Sequence, residues 1–454
     1  MKKKVMFKQK LLRVSIVLIV LFTATVFFVS NSRVNNLVNK SISSKLDSIS
    51  SLGLDIIESR YDGNWNVKDG KLFLGNTLIN NNSGLLDAIY EKTGSHATIY
   101  QADIRVSTTL LNIDGERAIG TLAPDEVLEN VLREGIPYNG TATILGEKFA
   151  VKYVPIKDTS DRVIGMWCVG MPKNHAISQG GQLRAMRASI VVISILCGIL
   201  GCIILTLYSK KYLTDIDTLK VSFLESNSSI NKTQQKVLTM SLILIGTFFL
   251  IWFTIQGFTI GNVVRNLEDN NINERLHASS ELGYMLIDEI YKGDWSIQDN
   301  KLYKGSNFLN DNSMIVDRIS YNTESYVTIF MGDTRISTNI LRADGSRSVG
   351  TKTSDDIVWT VLKQGQIYTG ETTIIDKKYI TRYKPIKNSS DSVIGMWVIE
   401  FERRVAVNQI AGLRKVITQI SLLAIFISFV TFLYLSVKMS SDISNFDVSL
   451  HTNI

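Results

Sequence analysis

At a constant offset of 230 residues, with no gap, this chain repeats itself. Tyr61, Gly63 and Trp65 recur as Tyr291, Gly293 and Trp295, and Asp69, Lys71, Leu72 and Gly75 recur as Asp299, Lys301, Leu302 and Gly305. The run Asp103-Ile104-Arg105-Val106-Ser107-Thr108 returns as Asp333-Thr334-Arg335-Ile336-Ser337-Thr338. Val163 through Trp167 returns letter for letter as Val393 through Trp397. Any fold for the 454 residues must therefore be one unit built twice.

Four segments are strongly apolar, about 14–30, 187–208, 237–258 and 416–437, and they superpose under the same shift. A helix needs roughly 20 apolar residues to cross the hydrocarbon layer of a bilayer. Apart from Arg187 at the edge of the second, the last three segments carry no charged residue. The first is the shortest, but it lacks a clear small-x-small cleavage site and reads as an uncleaved helix. Lys2, Lys3, Lys4, Lys8, Lys10 and Arg13 precede the first segment, and Lys210, Lys211, Lys220, Lys232 and Lys236 lie between the second and third. The positive-inside rule places both groups in the cytoplasm.

The sequence thus predicts a multi-pass cell-membrane protein of four transmembrane helices. A cytoplasmic N-terminus (1–13), a cytoplasmic loop (209–236) and a cytoplasmic tail (438–454) flank extracytoplasmic domains at 31–186 and 259–415. The lipid bilayer is an expected partner. The net charge of +7 is explained by basic residues at the cytoplasmic membrane face, and no basic run interleaved with aromatics points to nucleic acid. Of the three cysteines, Cys168, Cys197 and Cys202, the last two lie inside the second apolar segment, so no disulfide framework is expected.

Within each copy a first stretch, about 31–60, has helical apolar spacing (Leu46, Ile49, Leu52, Ile56), matched by Leu276, Leu282, Leu286 and Ile290. A hairpin pattern follows, with Asp69-Gly70 at its turn. Then come a short helix near 83–91, strands near 97–100 and 105–109, and a helix at 125–134 ended by Gly135. Three strands close the unit at 141–145, 148–155 and 163–169. The order predicts an α+β domain, an antiparallel sheet flanked by a long N-terminal helix.

These residues resemble a known family. The text from Gly63 through Asn80, then Thr98 through Leu110, Asp114 through Thr121 and Pro155 through Gly170, with its second-copy counterpart, is similar to the single Cache sensor domain of bacterial methyl-accepting chemotaxis receptors. The resemblance implies a PAS-like fold that binds small metabolites such as organic or amino acids. It is expected to stop at the sensing half, because the stretches at 209–236 and 438–454 are too short for a HAMP linker and a cytoplasmic signalling hairpin.

Arg105 and Arg335 sit mid-strand beside Ser107-Thr108 and Ser337-Thr338. A guanidinium fork with hydroxyls can hold a carboxylate ligand, and it can equally pair with a neighbouring carboxylate of the protein. Arg117 and Arg347 follow an Asp-Gly turn, where a ligand contact competes with a solvated hairpin end. Tyr153 and Tyr383 precede Pro155 and Pro385 and can offer a hydroxyl or simply pack. Trp65, Trp167, Trp295 and Trp397 read as core. The four histidines have no metal-site spacing, and no nucleotide loop, nucleophile elbow or zincin helix is present, so neither an enzyme nor a cofactor is expected.

The function read from the sequence is a membrane-bound extracytoplasmic sensor of small polar metabolites, a carboxylate among them. It would signal through a partner such as a chemoreceptor or histidine kinase. The rival reading is a ligand-capture or decoy scaffold without output. Tandem copies would form an intramolecular pseudo-dimer or a homodimer. Drift between copies, His96 against Tyr326 and Phe149 against Tyr379, allows different ligands.

Overall fold

The structure is a computed structural model that describes residues 38–173 and 269–403 without interruption, together with isolated positions elsewhere. Each stretch is an α+β domain. The first opens with a helix over 38–60, α1. A small antiparallel sheet follows, β1 (Trp65–Lys68), β2 (Lys71–Leu74) and β3 (Thr77–Leu78), then α2 (Gly84–Thr93). Next are β4 (His96–Gln101), β5 (Ile104–Thr108), the short α3 (Asp125–Leu128), β6 (Tyr138–Ile144), β7 (Glu147–Lys157) and β8 (Val163–Pro172). The last five strands form one antiparallel sheet in the order β5-β4-β8-β7-β6.

The second domain repeats this plan. Its α4 runs over 269–290, followed by β9 (Trp295–Gln298), β10 (Lys301–Lys304), β11 (Asn307–Phe308) and α5 (Ser313–Thr323). Then come β12 (Tyr326–Met331), β13 (Thr334–Thr338), α6 (Asp355–Ile357), β14 (Tyr368–Ile374), β15 (Lys377–Lys387) and β16 (Val393–Glu402), in the sheet order β13-β12-β16-β15-β14.

Local chemistry explains the turns. Asp69 and Gly70 have φ of 48° and 70°, the left-handed pair of a two-residue hairpin, and the second copy manages the same turn with Asp299 and Asn300. The helix expected at 125–134 is only four residues of α-helix before it widens into a π-turn at Glu129–Arg133.

Packing divides each large sheet into two faces. On one, α1 buries Leu46, Ile49, Leu52 and Ile56, a helical stripe. Trp167 stands between helix and sheet and donates its indole N–H to the Ser50 carbonyl at 3.0 Å; Trp397 does the same to Ser280 at 3.0 Å. The other face is covered by the segment holding α3, which buries Val127 and Val131 against Tyr100, Tyr153, Met166 and Cys168.

The two domains are docked through α1 and α4. Lys45 pairs with Glu274 at 3.0 Å, and Arg60 with Glu289 at 2.8 Å. Across one side Asp55 on α1 takes the Arg318 guanidinium and the Asn322 amide of α5. On the other side Glu281 of α4 faces Lys92 of α2 at 3.7 Å. The same elements thus meet twice, helix to partner's second helix, about a pseudo-two-fold axis.

The expected membrane architecture requires correction. The segments 14–30, 187–208, 237–258 and 416–437 lie, apart from isolated positions, outside the described residues. Among the described residues no helix is long and apolar enough to cross a membrane. A helical crossing demands one continuous apolar helix that satisfies its own backbone. The long described helices are instead two-sided, with an apolar stripe on the sheet and charges such as Lys45, Asp55 and Glu281 on the opposite copy. Among the described residues the fold found is two α+β domains without a spanning helix. The four transmembrane helices, the multi-pass cell-membrane localisation, the bilayer as partner and the membrane-bound form of the sensor reading therefore have no support among the described residues.

Candidate ligand site

The site lies on the sheet face away from α1. A register shift between Ile99 and Tyr100 in the β4–β5 pair is what builds it. Plain alternation would put Arg105 on the face of Ser107; the bulge turns it to the face of Thr108, opposite Tyr100. The second copy has the same shift between Ile329 and Phe330, with Arg335 opposite Phe330.

Arg105 is buried. Its guanidinium donates to the Tyr100 hydroxyl at 2.8 Å and to Thr121 Oγ1, and lies over the Tyr100 ring. Tyr153 is fully buried, its ring 5.9 Å from that of Tyr100. Burial pushes the Tyr100 hydroxyl up to about 12 and the neighbouring Cys168 thiol up to about 12, so both stay protonated. Thr108 shares a hydrogen bond of 2.7 Å with Thr98 on the same face, and Thr338 repeats it with Thr328 at 2.8 Å.

The other sequence-predicted residues go elsewhere. Ser107 donates to the Asn82 carbonyl at 2.9 Å and Ser337 to Asn312 at 2.7 Å, tying β5 and β13 to the loops before α2 and α5. Arg117 forks onto Asp87 at 3.0 and 2.8 Å and reaches the Thr108 carbonyl at 2.6 Å. Arg347 does likewise with Asp317 at 2.9 and 2.7 Å and Thr338 at 2.7 Å. These two arginines clamp the covering loop to a helix. Arg105, Thr108 and Tyr153 share one site, as do Arg335, Thr338 and Tyr383; Ser107, Arg117, Ser337 and Arg347 do not enter it.

Position by position, the two sites are chemically different. Ala118, Ala142 and Val151 of the first copy stand where the second has Ser348, Thr372 and Thr381. Phe149 becomes Tyr379, His96 becomes Tyr326, and Gly170 becomes Glu400. On β16, Glu400 lies between Tyr326 of β12 and Thr381 of β15, on the same face as Val398 and Met396. It is 0% exposed, and neither carboxylate oxygen has a hydrogen-bond partner. Burial raises its carboxyl to about 7, and the charge of Arg335 pulls the other way. Ser348 Oγ, Thr372 Oγ1 and Arg335 Nε are also buried without partners. Arg335 keeps the Thr351 hydroxyl, but Phe330 replaces the tyrosine that binds the guanidinium in the first copy.

Buried polar groups are ordinarily hydrogen-bonded, and a group left without a partner costs about 1–3 kcal/mol. A cluster of them on one face makes that face the candidate site. Sequence reading missed Glu400, Ser348, Thr372 and Thr381. The signal was available: aligning the copies shows polar residues replacing small or apolar ones at alternate strand positions.

Such a domain, a five-stranded antiparallel sheet with a long leading helix on one face and a covering loop segment on the other, is of the PAS-like sensor class. Two segments, 77–182 and 307–412, match the family model described as single cache domain 3, so the chain carries a duplicated single cache domain. No curated protein matches the sequence. Among solved structures, one titled "Structure of an RNA-binding Light-Oxygen-Voltage Receptor" aligns over 70% of this chain and 98% of its own, at 11% identity and a TM-score of 0.18.

Proposed function

We propose that this chain is a tandem sensor module that binds a small polar metabolite and works by recognition, not turnover. The observation that carries the reading is the second domain's buried set of unpartnered polar atoms, those of Glu400, Ser348, Thr372 and Arg335, within a cache domain. A ligand that satisfied them would recover the hydrogen bonds the protein leaves unmade. The sheet that holds the site also faces the neighbouring copy. On the reverse of β15, Lys384 donates to Glu281 at 2.8 Å, and Glu281 in turn faces Lys92 of the first domain. A ligand that moves β15 thereby acts on the contact between copies, the kind of small interface shift by which paired domains transmit binding.

The test is thermal unfolding of the full chain against a panel of organic acids, amino acids, amines and polyols. At least one class is expected to raise the midpoint in a concentration-dependent way, by mass action. Thr381→Val, which fills the same volume without the hydroxyl, is expected to reduce that rise. A panel with no stabilising member overturns the reading.

A further inference from the structure

The duplication supplies an internal control for the site. Where β16 carries Glu400, β8 carries Gly170. A Cβ built on Gly170 would meet Val151 Cγ1 at 3.1 Å, the Ala150 carbonyl oxygen at 3.2 Å and the Phe149 ring at 3.6 Å. The first domain's corresponding space is thus filled by Val151, Phe149 and the Ala150 carbonyl, and its arginine donates to Tyr100 and Thr121, although its Nε, like that of Arg335, has no partner. In the second domain Glu400 and Ser348, each 0% exposed, present unpartnered oxygens on the same face. A carboxylate so placed, with no cation of the protein in contact, is complementary to a cationic donor.

Resting on the sensor reading, we propose that the second domain alone holds the ligand, through an ammonium group seated on Glu400, and that the first domain is its ligand-free packing partner. Arg335 lies within electrostatic reach of Glu400 but forms no ion pair with it. The ligand therefore bridges the two, with its ammonium at Glu400 and a hydrogen-bond acceptor at its arginine-facing end. Titratable and charged groups facing Glu400 are Arg335 from β13, Tyr379 and Tyr383 from β15 and Tyr326 from β12. Burial keeps the Tyr379 and Tyr383 hydroxyls protonated, so between pH 5 and 9 the carboxyl is the group that titrates.

Calorimetry of the full chain with ethanolamine, glycine and 4-aminobutyrate, against acetate, propionate and glycerol as partners lacking the amine, tests the proposal. At least one amine is expected to bind with a single site per chain. Its affinity is expected to fall about tenfold per pH unit below 7 and to drop about thirtyfold or more in Glu400→Gln, the loss typical of removing one partner from a buried charge pair. Glu400→Gln also relieves a buried unpaired carboxyl, so it is expected to fold; Ser348→Ala is a second variant, expected to weaken the amine severalfold. Two sites per chain, unchanged affinity in Glu400→Gln, or binding confined to the acids or glycerol each overturn the amine proposal while leaving a sensor in place. Absence of binding by every probe, repeated across the wider thermal panel, overturns the sensor reading and this one with it.

Discussion

Trp167 lays the edge of its indole against Gly53, so closely that a Cβ there would stand 2.9 Å from the ring; Trp397 and Gly283 repeat the arrangement at 2.9 Å. A glycine in mid-helix is unfavourable by itself, by roughly 1 kcal/mol against alanine. Here it admits the ring that joins α1 to the sheet. Gly53→Ala and Gly283→Ala are therefore expected to destabilise their domains by about 1–3 kcal/mol despite better helix propensity, because the buried ring has to shift. Thermal or denaturant unfolding checks this, and a rise in stability would contradict the close-approach argument.

Asp55 takes the Arg318 guanidinium across the copies, supported by Asn322 at 2.8 Å. Arg318 is held more basic than usual by its hydrogen bond to Asp55. The pair is part-exposed, so its coupling is expected to be modest, about 1 kcal/mol in a double-mutant cycle of Asp55→Ala and Arg318→Ala. Additive single effects would show that the pair does not help to hold the copies together.

Arg117 and Arg347 clamp the covering loops without entering the site. Their replacement by alanine is expected to cost about 1 kcal/mol of stability and to speed hydrogen exchange in 109–123 and 339–353. Ligand affinity is expected to change far less than in Glu400→Gln. A loss of affinity as large as that of the Glu400 variant would move these arginines into the binding machinery.

Stability should depend on pH through Glu400. Burial raises this carboxyl to about 7 in the folded protein, above its ordinary value near 4.5. The folded state then binds more protons than the unfolded state between those values. Its contribution is fully present below the unfolded value and is lost as pH rises through about 7, an effect on the order of 3 kcal/mol. Unfolding of the chain at a series of pH values checks this, and Glu400→Gln is expected to flatten the slope across that window.

Much of the architecture was legible because it is written in local chemistry. The helical stripe Leu46, Ile49, Leu52 and Ile56, the left-handed turn at Asp69-Gly70 and the stop at Gly135 depend on residues within one turn or one hairpin of each other. The family resemblance read from both copies agrees with the matched cache segments. The membrane spans were inferred from hydropathy, and the segments that carry them lie, apart from isolated positions, outside the described residues.

What the sequence determined by itself was the duplication, the order of helices and strands in each copy, and the role of its tryptophans, since period, turn residues and self-similarity are carried by neighbouring residues along the chain. What only the tertiary structure decided was which face each side chain took and which charges met. A one-residue bulge moves Arg105 from the company of Ser107 to that of Thr108. Glu400 is buried because Tyr326 and Thr381, far from it in sequence, flank it across the sheet. Asp55 finds Arg318 only when the two copies dock. Burial and pairing of this kind are properties of through-space neighbours, and those neighbours exist only once the sheet is closed.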